Sequence, residues 1–399
     1  MSTKVDKTRF NRYLDENLDE LWKISKEIHS APELAYQEYK ACEIQCSYLQ
    51  SKGFEITKAA GGVETAYVAR FGKGRPIIAV FSEYDALPNL GHACGHNLIA
   101  ASALGAGIVA KKYLENTNTE GTLLVVGTPA EEGGGGKIKL LEAGVLGEID
   151  AVIMQHPTSA KTRLAGECMS SVSLRLEFVG KSAQAGSHPE NGINALSSAT
   201  LFVVASGLLR QQLKTNTRIS EYIVNGGEAV NIIPSNAVVQ SRIMSFNAND
   251  LQITVDKIRS AAEGCAKAIG CSIKIEETKG YLGRLPNKTL SDVCRNELLD
   301  LNEPVMDGMP FDYGGEDLGN VSRVIPICNP YVTIFPDYKI SGHTPQFREL
   351  AGSEAGKHNI DVASKAMGNT VIDLFVEPKL IDTAKEEMTA RLESEKQHE

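Results

Sequence analysis

TLLVVGTPAEEGGGG, residues 122–136, is the stretch from which the fold can be read. Residues 122–126 form a short, unbroken apolar run of the kind buried on both faces of a parallel sheet. The run breaks at Thr128-Pro129 and delivers two adjacent carboxylates, Glu131 and Glu132, into four glycines. In parallel α/β sheets, functional groups gather beyond the carboxyl ends of the strands. A glycine run at that place packs no side chains and gives a ligand close access to the backbone. On a solvated surface a Glu-Glu pair means little; after a buried strand it marks a candidate site.

The neighbouring sequence repeats the pattern. Residues 77–81 (IIAVF) are a second apolar run, and residues 151–154 (AVIM) a third that ends at His156 in Met-Gln-His-Pro. A small-residue helix over 98–113 follows His-Ala-Cys-Gly-His-Asn (92–97), and residues 8–29 carry Phe10, Leu14, Leu18, Leu21, Trp22, Ile24 and Ile28 at helical spacing. Strands alternating with helices predict an α/β layer with a mostly parallel sheet. Cys94, His96, Glu132 and His156 then fall at the ends of such runs, and His343, in Ser-Gly-His-Thr-Pro (341–345), follows the apolar run 331–335. These five side chains suit two divalent cations that share a bridging ligand. The soft thiolate of Cys94 favours zinc, with manganese or cobalt as alternatives. Glu131 is then a spare carboxylate placed to act as general base. The set reads as a metal-dependent hydrolase. Two other readings of the motif stand beside it: Cys94 as a catalytic thiol paired with His96, and Cys94 as a core thiol with His96 as a helix cap.

Near residue 170 the period changes. Val172, Leu174, Leu176 and Phe178 alternate with polar residues, as in a half-exposed strand. The order strand, helix (193–213), strand (219–225), strand (236–244), helix (249–269), strand (271–277) predicts a ferredoxin-like β-α-β-β-α-β unit. It interrupts the α/β pattern, so the expected organisation is a discontinuous catalytic domain, 1–169 and 285–399, with an inserted satellite domain, 170–284. The charged tail, 383–399, is expected to fray. A chain of 399 residues, 42% hydrophobic, fits two domains better than one. A net charge of −9 without a basic run argues against a nucleic-acid partner. No signal peptide is visible in the first twenty residues and no apolar run approaches the roughly 18–20 residues of a membrane span. Eight scattered cysteines fit free thiols in a reducing compartment, and the expected location is the cytoplasm.

These motifs resemble metallopeptidase family twenty, which holds aminoacylases, carboxypeptidase G and amidohydrolases. The likeness is greater to the branch of aminobenzoyl-glutamate hydrolase and the β-alanyl-lysine dipeptidases called peptidase domain-containing protein 2. It runs from Ile28-His29-Ser30-Ala31-Pro32-Glu33-Leu34 through Glu83-Tyr84-Asp85-Ala86-Leu87-Pro88, His92–Asn97 and Pro129–Gly133 to His343-Thr344-Pro345. The resemblance implies a dinuclear site of Cys94, His96, Glu132, His156 and His343 with Glu131 as base. It implies that Asp85 orients one of the ligands; the plain alternative is a turn residue before Pro88. It also implies a satellite domain that makes a homodimer and closes over the substrate. The expected reaction is hydrolysis of the amide bond of a small N-acyl amino acid, dipeptide or aryl amide by metal-hydroxide attack.

Departures from the family pattern concern the substrate. Relatives carry Gly-Lys-x-x-His in the satellite, where this chain has Gly180-Lys181-Ser182-Ala183-Gln184. Gln184 donates hydrogen bonds without positive charge, and His188 is the candidate to compensate. Where relatives have an arginine suited to a substrate carboxylate, this chain has Met244, with Arg242 two residues away on the same strand face. Asn231, in Asn-Ile-Ile-Pro, is a further candidate contact. These departures motivate a second hypothesis, a catalytically weakened binding or regulatory protein on the same fold.

Overall fold

The computed structural model describes residues 5–336 and 339–397. The chain divides into two compact units: one comprises the residues up to 167, 284–312 and those from 316 on, the other residues 168–283 with 313–315. The first unit begins with α1 (Thr8–Ser30), α2 (Tyr39–Ser51), β1 (Glu55–Lys58), β2 (Tyr67–Lys73) and β3 (Ile77–Ser82). It continues through α3 (His96–Thr117), β4 (Gly121–Gly127), α4 (Gly136–Glu142), β5 (Ala151–Ile153), β6 (His156–Ser159) and β7 (Arg163–Leu164). The second unit supplies β8 (Ser170–Val179), α5 (Ala195–Leu209), β9 (Arg218–Asn225), β10 (Asn236–Ser245), α6 (Ala248–Ile269) and β11 (Ser272–Lys279). The chain then returns as α7 (Lys288–Asp300), α8 (Leu318–Ser322), β12 (Ile327–Cys328), β13 (Pro330–Phe335), α9 (Pro345–Ala351), α10 (Glu354–Val376) and α11 (Lys379–Gln397).

The unbroken apolar runs have a physical cause: their strands are buried on both faces. In β3, Ile78 and Val80 enter one core while Ile77, Ala79 and Phe81 enter the other, and in β4 Leu123 and Val125 divide from Leu124 and Val126 in the same way. The sheet order is β1-β2-β4-β3-β5-β12. The β4–β3, β3–β5 and β5–β12 pairs are parallel, and an antiparallel edge is added by β1 and β2. One core packs α1, α3 and α10; the other takes Leu140 of α4 and Leu318 and Val321 of α8. Helix α3 is buried almost all round, and Gly105 lets α10 approach: a Cβ there would lie 2.2 Å from Ser364 Oγ. A smaller sheet, β6-β13-β7, carries His156 at the start of β6.

In the second unit the antiparallel order β11-β8-β10-β9 with α5 and α6 gives the ferredoxin-like arrangement. Leu174, Leu176 and Phe178 of β8 meet Phe202, Val255 and Ile258 in a core of their own. The alternation read in residues 172–178 is the mark of that one covered face.

Two expectations are corrected. His156 does not simply follow β5; it opens a strand of a different sheet. Of the tail 383–399, the part described to Gln397 is helix and not frayed chain: it continues α11, with Ala384 buried in the core and Glu387 accepting the N–H groups of Lys288 and Thr289 at 2.5 and 2.9 Å. Among the described residues no helix is long and apolar enough to cross a membrane.

Candidate functional site

The site is assembled on the turn after β3. Asp85, fully buried, places Oδ1 3.0 Å and its backbone carbonyl 2.9 Å from His96 Nδ1. Two acceptors on one nitrogen fix a proton on Nδ1, which leaves Nε2, facing inward, as the ring atom that a metal could take. The other Asp85 oxygen accepts the Glu132 N–H at 2.9 Å. Burial opposes ionisation of Asp85, but neighbouring His96, its hydrogen bond and the Glu132 amide hold the carboxyl below the usual range. Gly95 precedes α3 at φ +81°, and a Cβ there would stand 2.6 Å from Pro157 Cγ, so the turn between Cys94 and His96 requires glycine.

The five expected ligands come together. Cys94 Sγ lies 3.4 Å from His156 Nε2, Glu132 Oε1 3.9 Å from His96 Nε2, and Glu132 Oε2 3.5 Å from His343 Nε2. Three overlapping sets have ligand atoms within 4.8 Å of one another: Cys94, His96 and His156; Cys94, Glu132 and His343; His96, Glu131 and Glu132. His156 is aimed from behind, with Nδ1 2.8 Å from the Pro157 carbonyl and its ring stacked on Tyr331 at 4.9 Å. His343 adopts φ +60°, and its N–H donates to the Ala93 carbonyl at 2.9 Å.

Two observations test the fit to cations. His96 Nε2 and Glu132 Oε1 are buried yet have no hydrogen-bond partner, although buried polar atoms are rarely left so. Glu83, Asp85, Glu131, Glu132 and Asp317 also gather here, while Lys137, the ammonium bonded to Glu83 and Asp317, balances only one charge. Cations would satisfy both the orphaned atoms and the surplus charge. The donor set of thiol, imidazole and carboxylate suits borderline-soft divalent metals. Burial pushes the Cys94 thiol well up, the opposite of what a metal-free thiol nucleophile needs.

Glu131 is buried, and its carboxyl is raised far above the ordinary range by burial, with Glu83 and Asp317 adding to it. The Glu83–Lys137–Asp317 network was not read from the sequence. Lys137 Nζ bonds Glu83 and stands 2.6 Å from Asp317 Oδ1, and Glu83 Oε2 is 3.6 Å from His96 Nε2. Glu38, at the start of α2, was also missed. It is fully buried, and its Oε1 accepts the Ala130 N–H at 2.9 Å. Glu83 opens the motif 83–88 and Lys137 follows the glycine run, so both had a local signal; Glu38 and Asp317 had none.

In the second unit, Gln184, His188 and Asn231 share one exposed loop cluster. The Ala185 N–H donates to the Asn231 carbonyl at 2.9 Å, and the His188 N–H to the Gln184 carbonyl at 3.2 Å. Gln184 Oε1 is occupied by Gly186 N–H at 2.7 Å and Ser187 Oγ at 2.9 Å, leaving its amide hydrogens to serve as donors. The His188 ring faces Glu190 Oε1 at 3.4 Å. Arg242 is not brought to this cluster: it lies six residues into β10, roughly 20 Å along the strand at 3.3 Å per residue. Its Nη2 is 3.4 Å from Ser171 Oγ.

Comparison with known proteins gives a consistent result. Residues 79–362 match the family model for peptidase family M20/M25/M40. An Xaa-Arg dipeptidase of Mus musculus is 34% identical over 98% of this chain and 93% of its own length. One of the p-aminobenzoyl-glutamate hydrolase subunits of Escherichia coli is 31% identical over 70% of this chain and 62% of its own. A solved Bacillus subtilis structure, a dinuclear metal-binding peptidase of the M20 family, shares the fold with a TM-score of 0.71 at 22% identity, covering 90% of this chain and 99% of that one.

Proposed function

The chain belongs to peptidase family M20/M25/M40, and from that premise we propose that it hydrolyses small dipeptides, with a basic C-terminal residue preferred, at the centre formed by Cys94, His96, Glu132, His156 and His343. Membership makes it a metal-dependent amide hydrolase. The observation that carries the residue roles is the overlap of the three ligand sets around the unpartnered His96 Nε2 and Glu132 Oε1. Bound there, two divalent ions supply Lewis acidity, polarising a carbonyl oxygen and lowering the pKa of a water towards neutrality. Cys94, common to two of the sets, is the soft donor that favours zinc over manganese or cobalt.

The chain's own groups do the rest. With bound cations offsetting the burial and acidic neighbours that otherwise raise its carboxyl, Glu131 would be ionised; it takes a proton from the attacking water on a carboxylate oxygen and returns it to the leaving amine nitrogen. Asp85 keeps His96 Nε2 turned inward. Gln184 and Asn231 offer amide donors to the substrate and His188 a ring nitrogen, while Arg242, farther along β10, is the cation of that strand. The unit of residues 168–283 takes the satellite role of lid and dimer contact. All eight cysteines are free thiols, in keeping with a cytoplasmic enzyme.

The test is a substrate panel on protein stripped with chelator and reloaded with zinc, manganese or cobalt. Ala-Arg, p-aminobenzoyl-glutamate and N-benzoylglycine span the classes. Hydrolysis of Ala-Arg, abolished by chelation and restored by metal, is expected. Full activity in metal-free protein would sink the mechanism, and inertness across the panel would favour a binding or regulatory protein. Glu131→Gln is expected to keep its metal content and lose about 10²–10⁴-fold in kcat; near-normal turnover removes Glu131 from the base role.

A further inference from the structure

Glu131 sits between two backbone amides that are each held by a buried carboxylate. After it, Glu132 N–H donates to Asp85 Oδ2; before it, Ala130 N–H donates to Glu38 Oε1, both at 2.9 Å. Ala130 has φ +62°, a left-handed conformation that a residue with a Cβ adopts only where its surroundings impose it. Its carbonyl accepts the N–H groups of Gly134 at 3.0 Å and Gly136 at 3.4 Å, closing the glycine loop on itself. The second Glu38 oxygen accepts the Thr65 hydroxyl at 2.9 Å. Tyr36, two residues earlier, donates its hydroxyl to the Gly134 carbonyl, and a Cβ on Gly134 would lie 2.5 Å from the Tyr36 ring.

Glu38 does not spend its side chain on its own helix. It precedes α2 and makes no side-chain cap hydrogen bond; the Lys40 and Ala41 N–H groups of that helix donate to Glu33 instead. It reaches instead across 92 sequence positions to the strained residue next to Glu131. A buried carboxylate is costly unless its hydrogen bonds are useful.

We propose that Glu38 is a positioning residue for the hydrolysis: its carboxylate fixes the left-handed backbone of Ala130 and so aims Glu131 at the reacting water. This rests on Glu131 as the general base. Glu38 touches none of the five ligand side chains through a hydrogen bond, so its loss misdirects the base without removing metal. The defect therefore falls on kcat, not KM.

The experiment is a mutant cycle with Ala-Arg as substrate, read alongside metal content and Tm. Glu38→Met keeps the length and removes the acceptor; its kcat is expected to fall about 10- to 100-fold, with KM and metal content unchanged. Glu38→Gln, which retains an acceptor oxygen for Ala130, is expected to keep most of the activity. Ala130→Gly, added to Glu38→Met, is expected to recover part of the loss, because glycine holds a positive φ without restraint. Glu38→Met placed on Glu131→Gln is expected to cause no further loss, since the group it aims is gone.

Wild-type kcat in Glu38→Met overturns the proposal. So does a loss of equal factor in both backgrounds, or a Glu38→Gln variant as damaged as Glu38→Met. If Glu131→Gln alone keeps wild-type turnover, the base assignment fails first and carries this proposal with it. If Glu131→Gln is inactive and Glu38→Met is not, only Glu38 is removed. Should Glu38→Met not fold, Thr65→Val, which frees the carboxylate to swing, is taken through the same cycle under the same criteria.

Discussion

Asp85 ties a ligand to a loop: one oxygen holds His96, the other the Glu132 amide. Asp85→Asn puts an NH₂ group against one of two donors, the His96 ring N–H or the Glu132 N–H, so either His96 turns or the loop moves. Metal affinity is expected to fall about 10- to 100-fold, measured by competition with a fluorescent chelator; unchanged affinity would leave Asp85 a turn residue. Glu38 makes a separate prediction through pH. Burial, with Asp85 adding in the same direction, pushes its carboxyl up from 4.5 to about 7, against the hydrogen bond from Thr65. Between those values the folded chain holds a proton that the unfolded chain releases, so this group lowers stability as pH rises. The full effect, roughly 3 kcal/mol, is present above the folded value. Glu38→Gln does not titrate. Its stability relative to wild type should rise between pH 5 and pH 8 in urea unfolding with chelator present, and a pH-independent difference would contradict the assignment. Cys94, His96 and Glu132 could be read because they arrive in compact local motifs, while His156 and His343, in weaker surroundings, took their weight from the family resemblance. Glu38 and Asp317 could not be read: they meet the site across 92 and 180 positions, and nothing around them in sequence marks a polar group for burial.

Strands β3, β4 and β5 were legible because burial on both faces leaves no polar position to break the run. The glycine run was located but its use was misread in part. Gly133 is open, but a Cβ on Gly136 would stand 1.8 Å from the Pro129 carbonyl and one on Gly134 2.7 Å from Ala130 Cβ. Those two glycines permit close packing of the loop that carries Glu131, rather than ligand access. Helix α11 was hidden by its composition. Its charged residues are spent on partners: Lys385 on Asp150 at 2.5 Å, and Glu395 on Arg323 at 2.6 Å. Its apolar contribution is chiefly Ile381 and Ala384, too sparse to show a helical stripe. Because Ile381 is in the core, Ile381→Ala should cost roughly 2–4 kcal/mol in urea unfolding. A change below about 0.5 kcal/mol would mean that the start of α11 does not pack on the core.

At the scale of the molecule, a change of hydrophobic period near residue 170 marks the inserted unit, whose two ends are tied together: Gly280 N–H donates to the Ser171 carbonyl at 2.9 Å, and Ser171 N–H to the Tyr281 carbonyl at 3.0 Å. Residues 313–315 join that unit through Met169 N–H and the Gly314 carbonyl at 3.2 Å, a long-range contact without a sequence signal. The unit has one sheet face covered by its helices, and those helices expose apolar side chains of their own. Val204 and Leu208 of α5 are 55% and 72% exposed, and Ile253 of α6 stands beside Leu208 at one groove. An apolar face on a helix pair suits a two-fold contact, in which the same patch serves both partners. A stable dimer needs on the order of 1,000 Å² of buried surface, more than these three side chains provide, so edge strand β9, with Tyr222 and Val224 exposed, is a further candidate contact. Sedimentation equilibrium of the full chain should give twice the 43.1 kDa chain mass. Val204→Glu with Leu208→Glu would bring charges against each other across the two-fold and should yield a monomer with an unchanged circular dichroism spectrum. A wild-type monomer would remove the satellite's dimer role, and a double variant that stays dimeric would move the contact away from α5.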